Sequence, residues 1–289
     1  MPLSESLRVD PRDFRLDPKA TADTPGAASK ADAIAAASDI AEKIRKLQLA
    51  LYAEDRQSLL IVLQGMDAAG KDGTIRHVVG MMNPQGCSVT GFKQPTPLEL
   101  RHDFLWRVHP HVPAMGEVAV FNRSHYEDVL IGRVHGLCPK PQLEARYEEI
   151  NQFESLLRSQ AQTRVIKFFL HISREEQLTR FAKRLNDPAK NWKISESDYT
   201  ERTYWDSYQK AYQEALQKTS TPHAPWFVIP ADNKWYRNFA VSRIVLETLE
   251  DMKPQLPKPT VDLAAIRRQF HEAEANSSAK TVANRTERT

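Results

Sequence analysis

The sequence predicts an α/β fold, a parallel five-stranded sheet covered by helices on both faces in three layers. Three observations lead to it. Five short strand-like runs recur along the chain, each apolar nearly throughout, as strands buried on both faces are. Helical periodicities separate them, the alternation from which parallel sheets are built. The third observation is glycine. The chain has only 10 in 289 residues, yet Gly65, Gly70 and Gly73 crowd together directly after the first run. An average composition would hold roughly twenty, so the crowding marks backbone geometry that other residues avoid.

Taken in order, residues 1–30 are rich in Pro, Ala, Asp and Thr, lack periodicity and read as an arm or loose wrap. From Ala31 the pattern turns helical, with Ile40, Ile44, Leu47 and Leu51 on one face. SLLIVL (58–63) is the first strand, and TIRHVVGMM (74–82) continues from the glycines as a helix. CSVTGF (87–92) is the second strand, residues 97–108 read as helical, and EVAVFN (117–122) is the third strand. After Pro141 a long amphipathic helix carries Leu143, Tyr147, Ile150, Phe153 and Leu157 on one face. RVIKFFLHI (164–172) is the fourth strand, 173–218 is polar and helical, WFVIP (226–230) is the fifth strand, and a last helix spans about 235–251. The organisation read from this is an arm at 1–30, a main domain at 31–260 and a polar, largely disordered tail at 261–289.

Composition mostly excludes. A net charge of +3 and a pI near 8.7 are too mild to argue for nucleic acid, so an anionic ligand must be met by a local patch. The longest apolar run, Leu59 to Leu63, is far too short for a membrane span, and the N-terminus has no apolar leader. Two cysteines, Cys87 and Cys138, make no disulfide framework. A cytoplasmic location is the expectation.

Ligands of parallel α/β sheets bind at the carboxyl ends of the strands. After the first strand stands Gly65-Met66-Asp67-Ala68-Ala69-Gly70-Lys71, a G-x-x-x-x-G-K phosphate loop between strand and helix, the context the motif requires. In such a loop the backbone from Gly65 through Ala68, Ala69 and Gly70 to Asp72, Gly73 and Thr74 turns amides toward phosphate oxygens, the helix start adds its dipole, and Lys71 adds a full charge. Asp72 stands where Ser or Thr usually binds magnesium, and Asp67 is an unexpected acid inside an anion cradle. Magnesium is often held by one or two carboxylates plus phosphates, so Asp67 reads either as a metal anchor or as a helix cap.

The third strand ends in Asn122-Arg123-Ser124-His125-Tyr126-Glu127-Asp128. A neighbouring strand of a phosphate-loop enzyme often ends in a metal-positioning Asp. Asn122 holds that place without charge, and Glu127 or Asp128, a turn later, is the candidate that restores it. Arg123 is suited to grip a phosphate bidentately, or else forms an i,i+4 surface pair with Glu127. The histidines follow no ligand spacing. Between Arg180 and Lys193 come Arg180, Lys183, Arg184, Lys190 and Lys193 against the single acid Asp187, and Ser195–Asp198 forms a capping box ahead of Trp205, Tyr208 and Tyr212. A basic hairpin inserted after a strand of a phosphate-loop fold reads as a lid, about 180–218, closing on phosphates.

Together GMDAAGKDG, FKQPTPLELRHDFLWRVH, FNRSHYEDVL, RLNDPAKNWKIS and APWFVIPADNKWYRN resemble the polyphosphate kinase 2 family over about residues 50–255. The FNRSHYED form is similar to the subgroup that phosphorylates both nucleoside mono- and diphosphates. The resemblance implies a P-loop kinase fold of the thymidylate-kinase-like type, Mg²⁺ as cofactor, and inorganic polyphosphate as donor. It further implies AMP and ADP as acceptors, with GMP and GDP as further candidates, and a homo-oligomer. It implies functional roles for Asp67, Lys71, Arg123 and the lid arginines Arg180 and Arg184, and accepts Asp72; Asn122 departs from the usual Asp and leaves more to Glu127. The competing readings are an ATP-dependent nucleoside monophosphate kinase and a polyphosphate-binding module without catalysis.

Overall fold

In this computed structural model the described backbone runs from residue 1 to 286, with side chains described to residue 274. The chain divides into two compact units, Met1–Gln255 and Leu256–Thr289. Five strands, β1 (Ser58–Gln64), β2 (Cys87–Gly91), β3 (Val118–Asn122), β4 (Thr163–His171) and β5 (Trp226–Pro230), form one parallel sheet in the order β2-β3-β1-β4-β5. β1 lies in the middle because it is buried at all seven positions. Its register pairs Leu63 with Asn122 of β3 and with Phe168 of β4, so three strand ends open on one crevice. The chain leaves β1 toward β2 and β3 on one side and later adds β4 and β5 on the other. The carboxyl end of β1 is therefore the switch point at which such sheets bind ligands.

The helices of the first unit are α1 (Leu3–Leu7), α2 (Lys30–Glu54), α3 (Lys71–Val79), α4 (Glu127–Val134), α5 (Lys140–Ala161), α6 (Arg174–Leu185), α7 (Glu196–Arg202), α8 (Trp205–Thr219) and α9 (Lys234–Met252). The apolar stripe read on α2 is its buried face, with Ile40 and Ile44 packed in the core, and α2 lies against α9. The stripe on α5 is buried in the same way at Leu143, Tyr147, Ile150, Phe153 and Leu157.

Two expectations are corrected. Residues 97–108 form only a short 3₁₀ turn, Glu99–Arg101, and further turns. Asp103 takes the amides of Leu105 and Trp106 into its own carboxylate, which competes with helix formation. The arm is bound rather than loose. Val9 donates its amide to Trp226, Arg8 bridges Phe227 at the sheet edge, and Glu247 of α9 accepts the amides of Leu3 and Ser4. Aperiodic segments can satisfy their backbone in this way only against a formed edge, so the pairing leaves no sequence period. Residues Leu263–Thr286 of the second unit form a helix, α10, nearly all of whose described side chains are exposed, and the end of the tail expected to be disordered, 287–289, lies outside the described residues.

One fully buried charge pair ties the sheet to α5. Lys167 of β4 and Glu154 of α5 are both fully buried, 2.5 Å apart, and Lys167 also donates to the Tyr126 hydroxyl and the Thr219 carbonyl. Burial works to raise the Glu154 carboxyl, but Lys167 and His125 outweigh it and hold it below the ordinary range. Removing one member strands the other. Glu154→Gln is expected to lower unfolding stability by about 3–5 kcal/mol in denaturant titration, and Lys167→Met paired with Glu154→Leu should recover most of the loss.

Candidate active site

The phosphate loop follows from the end of β1. Gly65 sits where a β-carbon would come within 2.8 Å of the Leu170 carbonyl on β4. Ala68 lies in the left-handed region at φ 62°, as does Gly70 at φ 109°, where a β-carbon would overlap the Arg237 guanidinium. These turns bring the loop around so that α3 starts at Lys71, and the first-turn amides of Lys71, Asp72 and Gly73 have no acceptor within the helix. Lys71 is buried and curls back onto the loop, donating to the Gly65 carbonyl at 2.6 Å and the Met66 carbonyl at 3.3 Å. Burial, and then Arg123, pull its ammonium down to about 8, against Asp67, Glu127 and Asp72. Two loop residues do not face ligand space as read from sequence. The Ala69 amide is spent on the Met66 carbonyl, and Thr74 is buried with its hydroxyl turned to the Gly70 carbonyl.

At the end of β3, Arg123 adopts a left-handed backbone at φ 63° and joins two acids. One nitrogen donates to Asp67 at 2.5 Å and another to Glu127 at 3.1 Å. Glu127 first and Asp67 next hold this guanidinium more firmly protonated than usual, although burial opposes them. The i,i+4 contact with Glu127 thus exists, but in a half-buried position across the loop rather than on an open surface. The other Glu127 oxygen is buried with no hydrogen-bond partner. Asn122 donates its amide to Asp72 at 3.0 Å, and Lys193 donates to the second Asp72 oxygen at 2.9 Å. Asp72 therefore ties the loop both to β3 and to the segment after α6. Burial works against its ionised form, but Lys193 and Asn122 keep its carboxyl below the ordinary range.

The basic segment divides unexpectedly. Arg180 is buried behind the loop, and its guanidinium donates to Glu176 and to the carbonyls of Ala68, Ala69, Ala231 and Asp232. All five donors are thereby used, so Arg180 braces the loop instead of projecting with Arg184 toward phosphates. Arg184 donates to the Lys193 carbonyl and lies 3.9 Å from Asp198, and Lys190 pairs with Asp187. The capping box at Ser195–Asp198 forms, but it starts the short α7, and Trp205, Tyr208 and Tyr212 belong to the separate α8, where they are buried. Around these groups opens a crevice of about 700 Å³ lined by eleven lysines and arginines and only four aspartates. In a chain with 40 basic and 37 acidic residues, that excess is local.

A family model described as polyphosphate kinase 2 matches residues 27–257. The chain belongs to the polyphosphate kinase 2 family. It is 49% identical over 245 residues, 85% of this chain and 91% of the relative, to a protein of Meiothermus ruber named AMP/ADP-polyphosphate phosphotransferase. It is 45% identical over 231 residues, 76% of this chain and 80% of the relative, to an ADP-polyphosphate phosphotransferase of Rhodopseudomonas palustris. The crystal structure of polyphosphate kinase 2 from Arthrobacter aurescens aligns with a TM-score of 0.90 at 46% identity, over 94% of this chain and 97% of that one. The fold is that of a P-loop kinase, and the family resemblance read from the motifs is borne out.

In this polyphosphate kinase 2 chain the crevice also contains residues that motif reading passed over, Arg76, Lys93, Asp198 and Arg237, and it contains Lys234, which sequence reading left between a base contact and a plain turn. Arg237 of α9 is buried, contacts the Ala69 carbonyl at 3.3 Å, and otherwise meets only the Asn238 amide oxygen. Burial, and then Arg180, lower its guanidinium to about 10. The signal that could have found it is the strand-end rule, since Lys234 and Arg237 open the helix that follows β5. Gln177 of α6 was also missed; it donates to the Asp67 carbonyl. Among the described residues no cluster of three or more His, Cys, Asp or Glu forms a metal site of the all-protein kind, and no helix is long and apolar enough to cross a membrane.

Proposed function

We propose that this chain transfers the terminal phosphate of inorganic polyphosphate to nucleoside mono- and diphosphates, converting AMP to ADP and ADP to ATP, reversibly and with Mg²⁺. GMP and GDP are further acceptors within this reading, as are a homo-oligomeric state and a cytoplasmic location. The observation that carries it is the charge of the crevice. Eleven cations against four acids, at a phosphate loop, suit a linear polyanion better than a single nucleotide. The names of the Meiothermus and Rhodopseudomonas relatives support the same donor and acceptors.

A terminal nucleotide phosphate is already ionised near neutral pH, so attack on the donor phosphorus needs alignment and charge neutralisation more than a base. The free amides at the start of α3 and the Lys71 ammonium receive the donor's terminal group. Lys71 can do so by exchanging its two loop carbonyls for phosphate oxygens, a swap without loss of hydrogen bonds. Arg123 stands beside it and stabilises the charge that develops on the transferring group, while Arg180 keeps the loop carbonyls turned away. The segment carrying Lys183, Arg184, Lys190 and Lys193 acts as the lid, and its tie to the loop runs through Lys193 and Asp72.

The residues fit magnesium. Asp67 and Glu127 converge on Arg123, and Glu127 has a buried oxygen without a partner, a costly arrangement unless a cation or its water completes it. Asp67 and Glu127 would hold the ion, with Asn122 offering its amide oxygen to a bound water. When bound, Mg²⁺ would neutralise part of the phosphate charge that the crevice cations leave unmet. The decisive test incubates the protein with Mg²⁺, polyphosphate and AMP, ADP, GMP or GDP, and chromatographs the nucleotides. AMP and ADP should each gain a phosphate. No higher phosphate from any acceptor overturns the reading, and product formed with ATP but not with polyphosphate as donor favours an ordinary monophosphate kinase.

A further inference from the structure

The sheet has two edges, and the chain treats them differently. At β5 the arm covers the edge, with Val9 bonded to Trp226 and Arg8 bridging Phe227. The opposite edge is β2. Phe92, just past its end, donates its amide to the Asn122 carbonyl of β3. Backbone groups alternate in direction along a strand, so Ser88 and Thr90 also face β3, while Cys87, Val89 and Gly91 turn their amides and carbonyls outward. The Cys87 amide is taken by the Pro84 carbonyl. Among the described residues nothing bonds to the backbone of Val89 or Gly91, and a β-carbon on Gly91 would meet open space. Open edges are normally blunted by lysine, proline, a bulge or a covering segment. β2, reading Cys-Ser-Val-Thr-Gly, has no charge and no proline, and its register with β3 is unbroken. Val89 is 48% exposed, and Leu49 and Tyr52 of α2 are each 41% exposed. Tyr52 lies beside the start of β2, where a β-carbon on Gly86 would come within 2.8 Å of its ring.

An uncharged, open strand flanked by apolar side chains fits an extended backbone. The arm is already engaged at β5, and residues 253–260, which lack regular structure, carry Pro254, Pro257 and Pro259, without the amides a strand needs. The strand is, however, complementary to itself. Run antiparallel about a two-fold axis with Val89 opposite Val89, each Val89 amide meets the other copy's Val89 carbonyl, and each Gly91 amide meets a Cys87 carbonyl. The pairing brings no like charges of the strand together. We propose that a second copy of this chain docks here, β2 against β2, so that the two sheets join into one and Leu49 and Tyr52 extend the contact. This rests on the homo-oligomeric reading above and not on the polyphosphate reaction. Because the strands run antiparallel, the two crevices lie toward opposite ends of the joined sheet, and neither site needs residues of the other.

Sedimentation velocity of the full chain over a range of concentrations tests this interface. The wild type is expected at twice its 33.0 kDa mass or an even multiple of it. Val89→Pro removes an outward amide that the single copy does not use, a change edge strands accept. Val89→Lys keeps that amide but sets two ammonium groups opposite each other across the axis. Each variant should raise the dissociation constant about tenfold or more, since contacts are lost from both copies at once, with circular dichroism and unfolding midpoint close to wild type. Hydrogen exchange gives a readout that needs no variant. In the oligomer the amides of Val89 and Gly91 should exchange as slowly as that of Thr90, which β3 holds in any case. A wild type that is monomeric at every concentration overturns the oligomer itself. An oligomer in which Val89 and Gly91 exchange fast beside a slow Thr90, or one that Val89→Lys does not weaken, overturns the β2 interface alone.

Discussion

Replacing Lys71 by methionine should lower turnover with polyphosphate and ADP by about 10³-fold or more, by analogy with the loss of other cations that stabilise a transferring phosphoryl group. The fold should survive. Lys71 is buried and already pays desolvation, and methionine keeps the length of its apolar stem. Thermal unfolding of the variant is therefore expected close to wild type, and turnover within tenfold of wild type would remove Lys71 from the transfer step. The same lysine predicts a pH dependence. Its ammonium is lowered to about 8 in the ligand-free protein, so the charged, phosphate-binding form is lost as pH rises through that value. kcat/KM, which reports the free enzyme, should fall above about pH 8, and Lys71→Arg should carry its residual activity past that limb. The stability effect has the opposite sign. The unfolded chain retains the proton up to its ordinary 10.5, so between about 8 and 10.5 it binds more protons than the native state and the Lys71 contribution to stability rises with pH.

Arg123→Ala is expected to cost a similar factor of about 10³ in kcat, and Arg123→Lys should recover little of it. The guanidinium joins Asp67 and Glu127 through different nitrogens, which a single ammonium on a flexible stem cannot reproduce. Its backbone conformation allows a separate check. At φ 63° a side chain costs about 1–3 kcal/mol that glycine does not. Arg123→Gly should therefore be as inactive as Arg123→Ala yet more stable in urea unfolding, by about 1 kcal/mol. Equal stabilities would mean that no strain is stored there. Kinetics of Arg123→Lys indistinguishable from wild type would mean that only charge is needed.

Much of the fold was legible because its causes are local. The β1 run, followed by glycine and then by helix, has one reading, and the five strands were placed to within one or two residues. The apolar stripes of α2 and α5 repeat at helical spacing because one face of each packs on the sheet. Where the cause was not local, the reading failed. The arm at residues 1–30 has no period, since its hydrogen bonds go to Trp226 and Glu247, more than two hundred positions away. Residues 97–108 have apolar mass like a helix, but Asp103 caps its own turn.

The chain's order of residues alone determined that it binds phosphate, and the spacing of Gly65, Gly70 and Lys71 between strand and helix was enough for that. It also supplied a basic segment at Arg180–Lys193, but not which of those charges are free. Only the tertiary structure decided that. Coulomb attraction acts through space, so Lys193 is neutralised by Asp72, 121 positions earlier, and Arg180 is committed to carbonyls on two separate loops. Crevice cations without a described acid partner, Arg76, Lys183, Lys234 and Arg237 among them, come from three helices that share no motif and meet only because β1, β4 and β5 end on the same side of one sheet.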